Sequence, residues 1–249
     1  MKILSFDTSG RSIHTCLLDD RAVAYQNVLE PDGGQRQESA AQLLPEIEAA
    51  LNSCAWHKRD IDLVVVGAGP GSFTGVRIAL VTARSLGQGL DLGVLPVCYL
   101  DVVAQELATS CALVLAAGAG QFFGAAYRQS AALPGSGAIL HVAVDPFCAP
   151  LVELESRLVA HQPFVAEAAV QTLLSSGSIF APWPEINNIA TAGAFLAFDR
   201  LSLSEAAQNQ TRDALRRKYP WQNATPLYLR NPSITLKSYG NSDKANDAC

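Results

Sequence analysis

Apolar positions recur in two different rhythms along this chain. Residues 2–7 read as a buried strand ending at Asp7, Ser9-Gly10 makes a turn, and residues 13–18 and 21–29 follow as two more strands of an antiparallel meander. From Gln37 to Cys54 the period lengthens, with Leu43, Leu44, Ile47, Leu51 and Cys54 at helical spacing. Pro45 interrupts that run and implies a kink or a late start. Residues 61–66 are rich in β-branched side chains, as expected of a parallel strand covered on both faces. A helix over 72–90, a strand over 93–97 and a helix over 100–109 complete the first half.

The second half starts in the same way. Strands are expected over 112–116, 122–128 and 138–144, and a helix over 151–159. Further helices are expected over 168–176 and 190–207. Strand-strand-strand-helix therefore occurs twice, and the pattern predicts an α/β protein with mixed sheets and two similar lobes. The lobes are expected over 1–108 and 109–237, with a flexible polar tail over 238–249.

Composition narrows the classes of function. The chain has 249 residues, 49% of them hydrophobic, enough for one large domain or two of about 100–150 residues. A net charge of −5 argues against a surface built wholly for nucleic acid, although Arg212, Arg216, Arg217 and Lys218 form a local basic stretch. That stretch reads either as a solvated helical face or as a phosphate contact. No secretory signal or membrane-length apolar run is visible, and the six cysteines form no Cys-x-x-Cys pair. A cytoplasmic protein with reduced thiols is the expectation.

The richest local signal is Gly67-Ala68-Gly69-Pro70-Gly71-Ser72-Phe73-Thr74-Gly75. It follows a strand and opens a helix, a place where free N–H groups suit an anion. It lacks the lysine of a phosphate-binding loop, and its glycines equally permit tight turns and close backbone approach. Along the helix itself Gly75, Ala79, Ala83 and Gly87 recur every four residues, with Val76 and Leu80 beside them. Such a stripe admits a close neighbour. That neighbour is either another element of this chain or a helix of a second subunit.

Catalytic chemistry is hard to assemble. Asp7-Thr8-Ser9 stands at a strand end where a carboxylate and hydroxyls could hold a metal-bound phosphate, yet the second-lobe turn, Gly118-Ala119-Gly120, has no acid. The four histidines (14, 57, 141, 161) are isolated, so no metal site is expected. Ser72 lacks a nucleophile elbow.

Four segments carry a resemblance. Ile3-Leu4-Ser5-Phe6-Asp7-Thr8-Ser9, Gln42-Leu43-Leu44-Pro45-Glu46-Ile47, the loop Gly69 to Ile78, and Pro226-Leu227-Tyr228-Leu229-Arg230-Asn231 are similar to the TsaB (YeaZ) family. The resemblance implies an actin-like (ASKHA) two-lobed fold with ribonuclease H-like lobes. It also implies a non-catalytic partner of the paralogous transferase TsaD, which places threonylcarbamoyl on adenosine 37 of tRNA. An ATPase, TsaE, joins that assembly, tRNA is met indirectly through it, and family members alone often form homodimers. Pairing runs through the first two helices of the first lobe. Carried onto this chain, the interface is expected at Leu43, Leu44, Ile47, Leu51, Gly75, Val76, Ala79, Leu80, Ala83 and Gly87. Asp7, Thr8 and Ser9 are the candidates for weak nucleotide binding, with no cofactor required. The chain departs from the family at Gly118-Ala119-Gly120-Gln121, at Cys98-Tyr99-Leu100 and around Glu38-Ser39. The competing reading is an ATP-using or metallopeptidase-like enzyme of the same fold.

Overall fold

A computed structural model describes residues 1–30, 38–130, 139–175, 177–202 and 211–229. Strand β1 (Lys2–Asp7) pairs antiparallel with β2 (Ile13–Asp19) on one side and parallel with β4 (Leu63–Gly67) on the other. β3 (Ala22–Leu29) and β5 (Gly93–Val97) complete a sheet of order β3-β2-β1-β4-β5. Because successive strand side chains point to opposite faces, Leu4, Phe6, Val64 and Val66 share one core while Ile3, Leu63 and Val65 share another. The first core is closed by α1 (Glu38–Ser53) and α2 (Phe73–Leu90). Pro45 lies inside α1 on its exposed side, where the carbonyl it leaves without an intrahelical partner, that of Ala41, also faces out.

The second sheet repeats this plan. β6 (Cys111–Gly118) pairs antiparallel with β7 (Gln121–Ser130) and parallel with β9 (Phe164–Ala166). With β8 (Ile139–Pro150) and β10 (Phe180–Ala181) the order is β8-β7-β6-β9-β10, the first sheet's order with each strand number raised by the same step. The twofold strand-strand-strand-helix pattern is thus a duplicated topology, and the lobes are of the actin-like, ribonuclease H-like kind. α4 (Leu151–Leu158) and α5 (Ala168–Gln171) cover one face of the second sheet. The other face meets α3 (Tyr99–Leu107).

Several expectations change. β8 runs to Pro150 rather than ending at 144, because irregularities in its pairing with β7 carry it past Pro146 before the ladder resumes at Phe147. α5 stops at Gln171, where hydrogen bonds from Leu173 to Val170 and from Leu174 to Gln171 tighten the chain. The lobe boundary at 108/109 does not divide the chain once. α6 (Ile189–Ser202) and Leu215 of α7 (Arg212–Lys218) return to pack on the first sheet, in one core with Ile3, Leu63 and Val65. The expected helix start at Gln37, its residues 203–207 and the tail over 238–249 lie outside the described residues.

Candidate functional site

The turn after β1 and the glycine loop after β4 meet at the carboxyl ends of these two adjacent parallel strands. Asp7, Thr8 and Ser9 are 2%, 3% and 7% exposed. Oδ1 of Asp7 accepts from the backbone N–H of Ser9 and from its hydroxyl, each at 2.7 Å. The hydroxyl of Thr8 donates to the carbonyl of Gly75 at 2.7 Å, and Ser72 N–H donates to the carbonyl of Ser9.

Each of three glycines admits one residue of this turn. A β-carbon at Gly67 would lie 1.6 Å from the Asp7 carboxylate, one at Gly71 would lie 2.6 Å from the Ser9 carbonyl oxygen, and one at Gly75 would lie 1.8 Å from that of Thr8. The loop is therefore built for backbone approach, and Ser72 caps α2 by accepting from Gly75 N–H. The Thr8 hydroxyl and the Ser9 carbonyl join this turn to the glycine loop, while Asp7 Oδ1 braces the turn itself. The space between Asp7, Gly67, Tyr99 and Gly193 is only about 10 Å³, at the lower limit for a single water.

The small-residue stripe of α2 faces inward. Ala79 and Ala83 are fully buried, Val76 and Leu80 nearly so, all in one core with Leu4, Phe6, Val64 and Val66. A β-carbon at Gly87 would fall 2.6 Å from Val94 and 2.8 Å from Trp221. Leu43, Ile47 and Leu51 of α1 are buried beside them. Of the ten residues expected at a partner interface, only Leu44 is open, at 55%. The neighbour that the stripe receives is this chain's own sheet, since a helix lying across a sheet needs small side chains where the two approach closest.

The outer sides of the same helices carry what the stripe misses. Val81 is 64% exposed and Phe73 is 38% exposed. Phe73, Arg77, Val81 and Ser85 form a second row at four-residue spacing, two positions out of phase with the glycines, and that offset was readable in the sequence. Around Phe73 the late segment closes in. Tyr228 packs on its ring at 5.6 Å between centroids, Arg77 Nε donates to the Tyr228 hydroxyl at 3.1 Å, and the Arg77 guanidinium lies 4.0 Å over Phe73.

Between the lobes, Asp101 of α3 takes two charge-assisted or buried bonds. Tyr127 of β7 donates to Oδ1 and Arg200 of α6 to Oδ2, both at 2.7 Å. Burial first, then the Asp101 charge, push the Tyr127 phenol well above its ordinary range, so it stays a donor. Burial likewise raises the Cys98 thiol to about 12. Among the described residues no three His, Cys, Asp or Glu side chains gather as a metal site.

Comparison with known proteins adds the relatives. The family model described as TsaD: tRNA N6-adenosine threonylcarbamoyltransferase matches residues 26–136. The tRNA threonylcarbamoyladenosine biosynthesis protein TsaB of Bacillus subtilis is 31% identical over 104 residues, 42% of this chain and 44% of that one. Its Escherichia coli namesake is 33% identical over 105 residues, 42% of this chain and 43% of that one. Over these segments the chain is similar to the TsaB/YeaZ proteins. Its matched segment thus spans less than half the length of these two curated TsaB proteins. The solved structure of YeaZ from Pseudomonas aeruginosa superposes with a TM-score of 0.67 at 19% identity, covering 92% of this chain and 100% of that one. The two-lobed fold therefore extends over both halves, beyond the sequence match.

Proposed function

We propose that this chain is a non-catalytic partner subunit in tRNA threonylcarbamoyladenosine biosynthesis, pairing with a TsaD-like transferase through the outer face of α1 and α2. The observation that carries the reading is the exposure of Leu44, Phe73 and Val81 on two neighbouring helices, large apolar groups that a monomer gains nothing by leaving in water. The names of the curated relatives support the pathway, and the matching family model describes its transferase. Without the transferase, the same face would pair two copies of the chain.

In this reading the interface is Leu44, Phe73 and Val81 in place of the buried residues expected at first. Val81→Glu and Leu44→Glu should each weaken association with the transferase subunit about tenfold or more, because a carboxylate would be desolvated at the contact. Light scattering and co-purification measure this, and thermal melting should stay close to that of the parent. Ala83→Arg should behave otherwise. Ala83 is fully buried against the sheet, so the cation would enter the core and soluble yield would fall. Full-affinity pairing by both glutamate variants would refute the reading.

A further inference from the structure

At the end of the first lobe away from the β1 turn, the loop after α1 forms a groove of about 440 Å³. Leu51, Trp56 and Leu90 supply its apolar lining, and Asn52, His57, Lys58 and Arg59 its polar part. Arg212, 153 residues beyond Arg59 in the chain, binds its margins together: one nitrogen donates to the Arg59 carbonyl at 2.9 Å and another to that of Leu90. Arg212 thereby anchors the start of α7, which carries the basic stretch of the sequence, beside this groove. Arg217 and Lys218, in its last turn, are exposed.

Charge here runs against the rest of the molecule. Lys58, Arg59, Arg212, Arg216, Arg217 and Lys218 outnumber the acids beside them, Glu48, Asp60, Asp91 and Asp213, in a chain whose formal charge is −5. Lys2 places its ammonium 4.5 Å over the Trp56 ring, while its backbone N–H donates to the Asp62 carboxylate. Arg216 is engaged by Asp91, and Lys58 lies 3.9 Å from Glu48. Among the described residues, neither the Arg59 nor the Arg217 guanidinium has a carboxylate within 4.0 Å. Arg59, clear of acids and lining the same groove as an indole and an apolar floor, matches the two chemistries of a nucleotide: a phosphate and a flat ring. A groove of this volume lies within the range of small-ligand sites, about 300–1,000 Å³.

We propose that this groove is an RNA-binding site, taking one nucleotide of a tRNA against Trp56 and Leu51, with the flanking phosphates held by Lys58, Arg59 and the outer cations of α7. It rests on the pathway reading above but uses a different surface from the subunit face. The α7 cations also complement the negative end of their own helix. That role accounts for Arg216 and Lys218, but not for Lys58 and Arg59 arriving from another segment.

The test is binding of a fluorescently labelled, unmodified tRNA transcript to the full chain, followed by anisotropy at two salt concentrations. Lys58→Glu with Arg59→Glu should weaken binding about tenfold or more and flatten its salt dependence. Glu48→Gln, at a carboxylate 64% exposed and so safe for folding, should tighten it about twofold. Absence of tRNA binding by the parent, or an unchanged affinity in the double variant, overturns the proposal. So does an equal loss for duplex DNA or an acidic peptide, which would reduce the groove to a general polyanion surface. Pairing with the transferase subunit, measured on the same variants, should not change. The RNA site and the pairing face can thus fail separately.

Discussion

Gly75 shows how one missing carbon is used. Alanine is the better helix former by about 1 kcal/mol. Yet its β-carbon would sit 1.8 Å from the carbonyl oxygen of Thr8, which is backbone and cannot step aside. Gly75→Ala should therefore cost about 2–4 kcal/mol in urea unfolding, as overpacking does. Gly89→Ala, on the same helix with nothing within 4 Å, should be neutral or stabilising. His14 carries a pH dependence. Burial lowers its pKa below 6.5, with Asp7 and Glu30 pulling the other way to lesser effect, and its Nδ1 accepts from Ile189 N–H at 3.3 Å, which needs the neutral ring. The unfolded chain takes up this proton first as pH falls. Stability is therefore full above about pH 6.5 and lost as pH drops from there towards the lower folded pKa. Melting at pH 7.5 and 5.5 should show a larger fall for the parent than for His14→Asn, whose Oδ1 can still accept.

Elements were legible where one period ran long enough. The β1–β2–β3 meander, α1 and α2 stand within a few residues of their expected places, because each has a strong apolar rhythm. β9 and β10, at three and two residues, have no rhythm to read and exist only through pairing with β6 and with each other. The α2 stripe was visible, but its direction was not: spacing alone cannot tell a helix packed on a sheet from one packed on a helix. Contacts between elements bring in Asp101, invisible as a motif, which joins β7, α3 and α6. Asp101→Ala should cost about 2–3 kcal/mol, leaving the Tyr127 hydroxyl buried and unpaired, whereas Tyr127→Phe should cost about 1. In a double-mutant cycle followed by denaturant unfolding, the two losses should sum to more than the double variant loses.

At the scale of the molecule, two sheets of one topology share a chain that crosses between them and comes back. Sequence alone settled the class of the long elements, the doubling of the strand-strand-strand-helix unit, and the lack of an acid in Gly118-Ala119-Gly120. All of these depend on residue type and on spacing along a line. The tertiary structure decided which side of α2 meets water, that Thr8 and Ser9 tie the β1 turn to the glycine loop, and that α6 and α7 return to the first lobe. It also brought Arg212 to Arg59, 153 positions away. A helix face acquires a direction, and distant charges become neighbours, only when the chain closes on itself. Burial and proximity belong to the packed fold, and local sequence carries no record of them.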